Sequence, residues 1–488
     1  MIKLILVATL LVLSSIECVK LHKKRTQFKD VPKFKTLYMD QYLDHFNKRD
    51  DRTFKLRYLV NDEWFNPDDG PVFVYAGNEG DIEAFWNNTG FMFDIAPVFQ
   101  ALVVFPEHRY YGESLPFGEK SFDLDKIGYL SVEQTMADYA VLLSKLQEDY
   151  NLCRKKNPII AFGGSYGGIL AAYMRFKYPN IVRGAIAASA PIYLTAGLAP
   201  STLFFQDVTN DFDKEPGCVP LVRKAFDTME DAAKRGDYKT LSTKFQLCKP
   251  ISDPAGYKHL LLWMRNAFTI MAMVDYPYPA SFLGDLPAWP VHYACEQLVN
   301  QTNKGVDILT AFKNLAGILY NDTSSCFDIY EQFIECADPT SCGLGNDAKS
   351  WDYQACTELN TVQESNGVTD MFPVIAYNEE LRAEYCLKTW GVKVRTEWPS
   401  IEFWGRHIKT ATNIVFSNGL LDPWHNGGPL TNVTDSLVAV IIEDGAHHLD
   451  LRGSDPRDPQ SVKIARYQEI EQIIKWVQEA KNEPCQKF

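Results

Sequence analysis

Beyond residue 18 no stretch approaches twenty consecutive apolar residues, so nothing in the rest of the chain predicts a helix that spans a bilayer. Basic runs are as scarce. Lys and Arg total 49 against 62 Asp and Glu, a formal charge of −13, and the one compact basic run is "HKKR" at 22–25. That balance argues against a nucleic-acid partner and makes "HKKR" a solvated face. No Cys and His spacing suggests zinc, and Gly77 and Gly80 are too few for a phosphate-binding loop, so neither a metal nor any other cofactor is expected. Internal repeats and low-complexity segments are missing too, and 488 residues point to one large domain with an insertion, or to two domains.

What is present begins with residues 1–18, "MIKLILVATLLVLSSIEC". A basic Lys3, an apolar stretch to Leu13 and small residues behind it read as a secretory signal, which places the mature chain in a lysosome-like lumen or outside the cell. Eleven cysteines agree. Cleavage after Cys18 leaves ten, an even number suited to five disulfides whose pairing the spacing does not reveal, whereas cleavage after Ser15 strands one thiol. Sequons at Asn87, Asn300, Asn321 and Asn432 are glycosylation candidates on the same route.

The apolar runs "PVFVYA" (71–76), "ALVVF" (101–105), "PIIAF" (158–162) and "VRGAIAAS" (182–189) read as buried strands. Between them, 131–150 opens with Ser131 and Gln134 at capping-box spacing and carries a helical apolar stripe, and "GGILAAYMRFKYP" reads as a helix stopped by Pro179. Strand and helix alternate, which predicts a parallel α/β sheet. From about 195 to 405 the strand rhythm gives way to helical patterns, aromatic residues and eight of the cysteines, read as an inserted helical cap. "TNIVFS" (412–417), "LVAVII" (437–442) and a helix over 461–480 then complete the core. The expected organisation is an α/β core over 36–194 and 406–482 with a cap over 195–405.

"GGSYGG" at 163–168 satisfies G-x-S-x-G directly after a strand and before a helix. That context marks Ser165 as a nucleophile on a sharp turn, with the amide of Tyr166 as one oxyanion donor and the "GNEGD" turn at 77–81 supplying the other. A serine hydroxyl needs a base, and the base a carboxylate. "NGLLDPW" places Asp422 past one later strand, and "DGAHHLDLR" places His447 and His448 past the next. Adjacent residues of an extended segment point apart, so one of the two histidines is the base. His108 is expected to hydrogen-bond behind the site and His425 to lie on the surface. Glu107, Arg109 and Glu113 are expected to form an ion-pair network.

"GNEGD", "EHRYYGESLPFG", "GGSYGG", "MAMVDYPYP", "WDYQACTE", "NGLLDPW" and "GAHHLDLR" resemble the family of lysosomal Pro-X carboxypeptidase and dipeptidyl peptidase II, from about residue 36 to 480. The resemblance implies a serine exopeptidase that favours proline at the residue donating the scissile carbonyl, with Ser165, Asp422 and His447 as its triad and His448 as a neighbour. It further implies a homodimer and peptide partners. The cap segments "CADPTSCG" and "DAKSWDYQACTE" resemble the dipeptidyl peptidase II branch, in which the aspartate at Asp338 meets the substrate's free amino group; an Asp-Pro turn between Cys336 and Cys342 is the structural alternative. The carboxyl-end, Pro-X carboxypeptidase reading stays as the alternative activity, with a carboxylesterase or a non-catalytic binding protein behind it. Trp351, Phe372 and Trp424 are candidates for an aromatic proline slot. His425 and Asn426 depart from the small residue and glycine the resemblance leads one to expect.

Overall fold

The computed structural model describes residues 31–320 and 325–485. The signal segment, Cys18, "HKKR" and Asn321 lie outside them.

Eight strands form the main sheet: β1 (Lys35–Tyr42), β2 (Thr53–Asn61), β3 (Val72–Tyr75), β4 (Leu102–Pro106), β5 (Ile159–Gly164), β6 (Val182–Ala188) and, after the ribbon pair β7 (Ala280–Ser281) and β8 (Asp285–Leu286), β9 (Ile414–Gly419) and β10 (Leu437–Ile442). Their order is β1-β2-β4-β3-β5-β6-β9-β10. The six from β4 to β10 run parallel, and β1 and β2 add an antiparallel hairpin at one edge. The sheet is therefore mixed where alternation predicted a parallel one. Most side chains of β1 are exposed, and an edge strand of this kind carries no apolar signature.

Side-chain alternation sorts the central strands onto two faces. Phe73, Tyr75, Val103, Phe105, Ile160 and Phe162 turn to one core, which also contains Trp86 and Trp476 from flanking helices. Val72, Val74, Leu102, Val104, Ile159 and Ala161 turn to the other, under the helices Val132–Asp149 and Tyr166–Lys177. The first of these helices is capped as its sequence predicts, with the Ser131 side chain accepting from the Gln134 amide.

Strand β9 pairs directly with β6, so the chain leaves the sheet after residue 188 and returns beside the strand it left. The excursion is the helical cap of an α/β-hydrolase fold. Its aromatic residues Phe204, Phe268 and Phe312 belong to the same continuous apolar cluster as Phe73 and Phe162 of the sheet. Four disulfides lie within it, Cys218–Cys295, Cys248–Cys326, Cys336–Cys342 and Cys356–Cys386, and a fifth, Cys153–Cys485, ties the core to the end of the chain. All ten cysteines after Cys18 are thus paired.

Candidate active site

The carboxyl ends of β5, β9 and β10 converge on one edge of the sheet. Ser165 follows β5 with φ 58° and ψ −127°, a region costly for a residue with a side chain and characteristic of a strained functional turn. Its neighbours explain the glycines. A Cβ on Gly163 would lie 2.0 Å from the carbonyl oxygen of Gly167, and one on Gly164 would lie 2.7 Å from the ring of His448. Asp422 follows β9 and His447 follows β10, each about 1% exposed. The His447 ring donates from Nδ1 to Asp422 Oδ2 at 2.9 Å, while Asp422 Oδ1 accepts from the Trp424 amide at 3.1 Å.

Among the described residues, His448 meets no carboxylate. Its amide donates to Ser189 Oγ at 2.8 Å and its ring packs edge-on to Phe282. Burial, with His447 and Arg452 nearby, pushes its imidazole well below the usual range, so it stays neutral. The two histidines thus differ in partner, and only His447 is held in one tautomer by an acid.

His108 lies behind the turn as expected. Its Nδ1 meets the carbonyl of Arg109 at 2.7 Å and must donate there, which leaves Nε2 to accept from the Tyr166 hydroxyl at 3.0 Å. Burial holds its imidazole down at about 3. The chain continues into the cap, where Gln354 Nε2 donates to the Tyr166 hydroxyl at 2.8 Å and to Glu358 at 2.7 Å. Gln354 sits inside "WDYQACTE", but its inward aim is a matter of tertiary packing and could not be read from the motif. Glu107, Arg109 and Glu113 do enter ion pairs, with partners from elsewhere: Arg57 with Glu107 at 2.6 Å and Glu113 at 3.0 Å, and Arg109 with Asp138 at 2.6 Å.

Two expectations are corrected. His425 is not a surface residue: its Nδ1 donates to the carbonyl of Asp422 at 2.7 Å, and its side chain is 14% exposed. Phe372 is no slot wall, being 2% exposed and packed against Phe205, Phe226 and Phe268 in the cap core. Its aromatic type fits either role, and only the fold separates them.

Between the sheet edge and the cap lies a cavity of about 360 Å³ that reaches Ser165 and is walled by Glu79, Asp338, Trp351 and Trp424 among others. Asp338 is 2% exposed. Its Oδ1 closes a turn by accepting from the amide and hydroxyl of Thr340 at 2.9 and 2.6 Å, and its Oδ2 accepts from Trp351 Nε1 at 2.9 Å. The structural turn and the cavity-facing carboxylate are therefore one residue. Glu79 accepts from Asn78 Nδ2 at 2.7 Å. Burial raises both carboxyl groups above their ordinary range, and the described lining residues include no Lys, Arg or His. The cavity presents anionic or hydrogen-bonding groups beside aromatic walls.

Among the described residues, the one grouping with metal-ligand proximity is Cys336, Cys342 and Asp352. The two sulfurs are bonded to each other and offer no thiolate. Asn87, Asn300 and Asn432 are exposed.

The serine carboxypeptidase S28 family model matches residues 41–469. The chain is 41% identical to bovine (Bos taurus) lysosomal Pro-X carboxypeptidase over 93% of its length and 90% of the relative's. It is 41% identical to the human (Homo sapiens) protein of that name, over 91% and 89%. With prolyl carboxy peptidase like protein 5 of Caenorhabditis elegans it shares 36% identity over 92% and 90%. With the serine turn, the Asp422–His447 pair and the capped sheet already in view, this chain is a serine peptidase and belongs to the serine carboxypeptidase S28 family.

Proposed function

We infer that this chain is an exopeptidase of a lysosomal or extracellular lumen that cleaves peptides after proline through an acyl-enzyme on Ser165. Ser165 Oγ adds to the scissile carbonyl as His447 Nε2 takes its proton, and His447 returns that proton to the departing amine. Asp422 holds the Nδ1 proton and stabilises the imidazolium. The amide of Tyr166, at the start of a helix, and an amide of the turn at 77–80 are the donors for the oxyanion. Water then reverses the steps and frees the acid. A proline ring is flat and apolar, and Trp351 and Trp424 offer it faces beside Ser165.

The cavity at Ser165 carries two carboxyl groups and, among its described lining, no cationic side chain. A substrate's ammonium group sheds water at little cost where fixed carboxylates meet it, whereas a terminal carboxylate there meets like charge. That favours release of amino-terminal Xaa-Pro dipeptides, with Asp338 meeting the amino group. The names of the relatives favour the other reading, a Pro-X carboxypeptidase that removes the residue after proline, and they bring the lysosomal lumen with them.

Two peptide sets decide between them. On the amino-end reading, acetylating the amino terminus of Xaa-Pro-Xaa peptides abolishes cleavage and amidating the carboxyl end changes little. Cleavage of acetylated peptides ending in Pro-Xaa, with resistance of their amides, establishes the carboxypeptidase and returns Asp338 to a turn residue.

A further inference from the structure

The cap does more than wall the cavity. The helix Pro254–Met273 ends at the sheet edge, where last-turn carbonyls lack an intrahelical partner. One of them, that of Met273, accepts the backbone N–H of His447 at 3.0 Å. Three residues on, the buried Tyr276 donates its hydroxyl to the carbonyl of His447 at 2.8 Å. Both backbone polar groups of the histidine are therefore satisfied by the cap. The guanidinium of Arg452 lies 5.0 Å from the Tyr276 ring centroid and 5.8 Å from that of Tyr278, so the far end of the histidine loop grips the same segment.

The acid is held likewise. Asn426 Nδ2 donates at 2.7 Å to Asp207 on the cap helix Leu203–Phe212, and His425 Nδ1 stands 3.8 Å from the same carboxylate while donating to the carbonyl of Asp422. These are the two residues that depart from the expected small pair after "DPW".

We propose that the cap is part of the catalytic apparatus, with Tyr276 a positioning residue that sets the His447 imidazole against Asp422 and Ser165. The physical reason is leverage. His447 sits on a short turn after β10, so its ring is aimed by its backbone, and that backbone is tied to the cap at both polar groups. A cap that shifts takes the base with it.

The proposal rests on the reading of Ser165, Asp422 and His447 as a triad, and the experiment separates the two. Tyr276→Phe keeps the ring and its packing and removes one hydroxyl. Turnover should fall about 10- to 100-fold, as for a small misplacement of a catalytic group, with KM within about 2-fold. The rate of Ser165 labelling by a small fluorophosphonate, which needs no contact with the cap walls, should fall in step. The low-field proton resonance of the His447–Asp422 hydrogen bond should shift or broaden. Tyr257→Phe is the control, since that cap phenol has no hydrogen-bond partner among the described residues, and it should match the parent. Unchanged turnover and labelling per active site in folded Tyr276→Phe overturn the proposal, as does a raised KM with turnover intact, which makes the phenol a substrate contact. If His447→Ala still labels at the parental rate, the triad reading fails and the positioning role falls with it.

Discussion

Raising the pH from 6.5 to 8 should destabilise this protein, and the buried acids say by how much. Asp211, 4% exposed, has a carboxyl pushed up to about 7 by burial, with Glu215 and Asp422 adding to the effect and Lys214 opposing it. Glu358, 8% exposed, is pushed up to about 8 by burial and by Glu133. A carboxyl whose folded pKa exceeds its unfolded value holds a proton that the unfolded chain has released, so its stabilising effect is present at low pH and lost as pH rises to the folded value. Asp275 and Glu469 are raised in the same sense. Below about 6.5 two histidines act the other way: His108, held at about 3, and His448, held well below its ordinary range, stay neutral in the fold while the unfolded chain binds protons. The opposing groups offset each other there, and the loss appears above it. Half a unit from Asp211 and one and a half from Glu358, at about 1.4 kcal/mol per unit, contribute about 3 kcal/mol, and Asp275 and Glu469 add to the loss in the same direction. For a chain of this length the share of the first two alone is about 3 °C in midpoint. Thermal unfolding at fixed scan rate and ionic strength, at pH 5.5, 6.5 and 8, measures it, and Glu358→Gln should make the decline above 6.5 shallower by about 2 °C. A midpoint that rises from pH 6.5 to 8, or a Glu358→Gln variant that keeps the full slope, refutes the reasoning.

Ser165→Ala and His447→Ala should each lower turnover by several orders of magnitude, because the two act as a unit; His448→Ala should keep measurable activity, and the reverse ranking in folded variants moves the base to His448. Asp338→Asn should lower kcat/KM for peptides with a free amino end by about 100-fold, the scale of a buried charge losing its partner (about 3 kcal/mol). Fluorophosphonate labelling should be unaffected, and equal loss on acetylated peptides would remove the amine from the argument. In Gly184→Ala the new Cβ would stand 2.3 Å from the Trp476 ring, lifting the final helix Gln460–Ala480 from the sheet. That overpacking should cost about 1–3 kcal/mol, read as a lower unfolding midpoint, and a parental midpoint would show that the helix yields freely.

The parts of the site legible in the sequence are those whose chemistry is local. Strand, sharp turn and helix follow from the apolar run before Gly163, the glycines about Ser165 and the periodic residues after it, so the turn could be recognised from a dozen residues. Asp422 and the histidine pair at 447–448 were legible because each follows an apolar run that reads as a strand. The edge strand β1 was not, since a strand with mostly exposed side chains leaves no apolar pattern. Phe372 and His425 depart from expectation for a related reason: an aromatic ring serves a core as well as a slot, and a histidine in a turn can face water or a buried carboxylate.

By itself, then, the sequence determined the hydrolase core, the inserted cap, the count of half-cystines and the order serine, aspartate, histidine, because periodicity, turn chemistry and composition act over short spans of chain. The tertiary structure alone decided which cysteines pair, which of two adjacent histidines meets an acid, that Glu79 and Asp338 share a cavity whose described lining has no cationic side chain, and that Tyr276 holds the carbonyl of His447. Most of those outcomes join residues 25 to 332 positions apart, and their distances are set by how the whole chain packs.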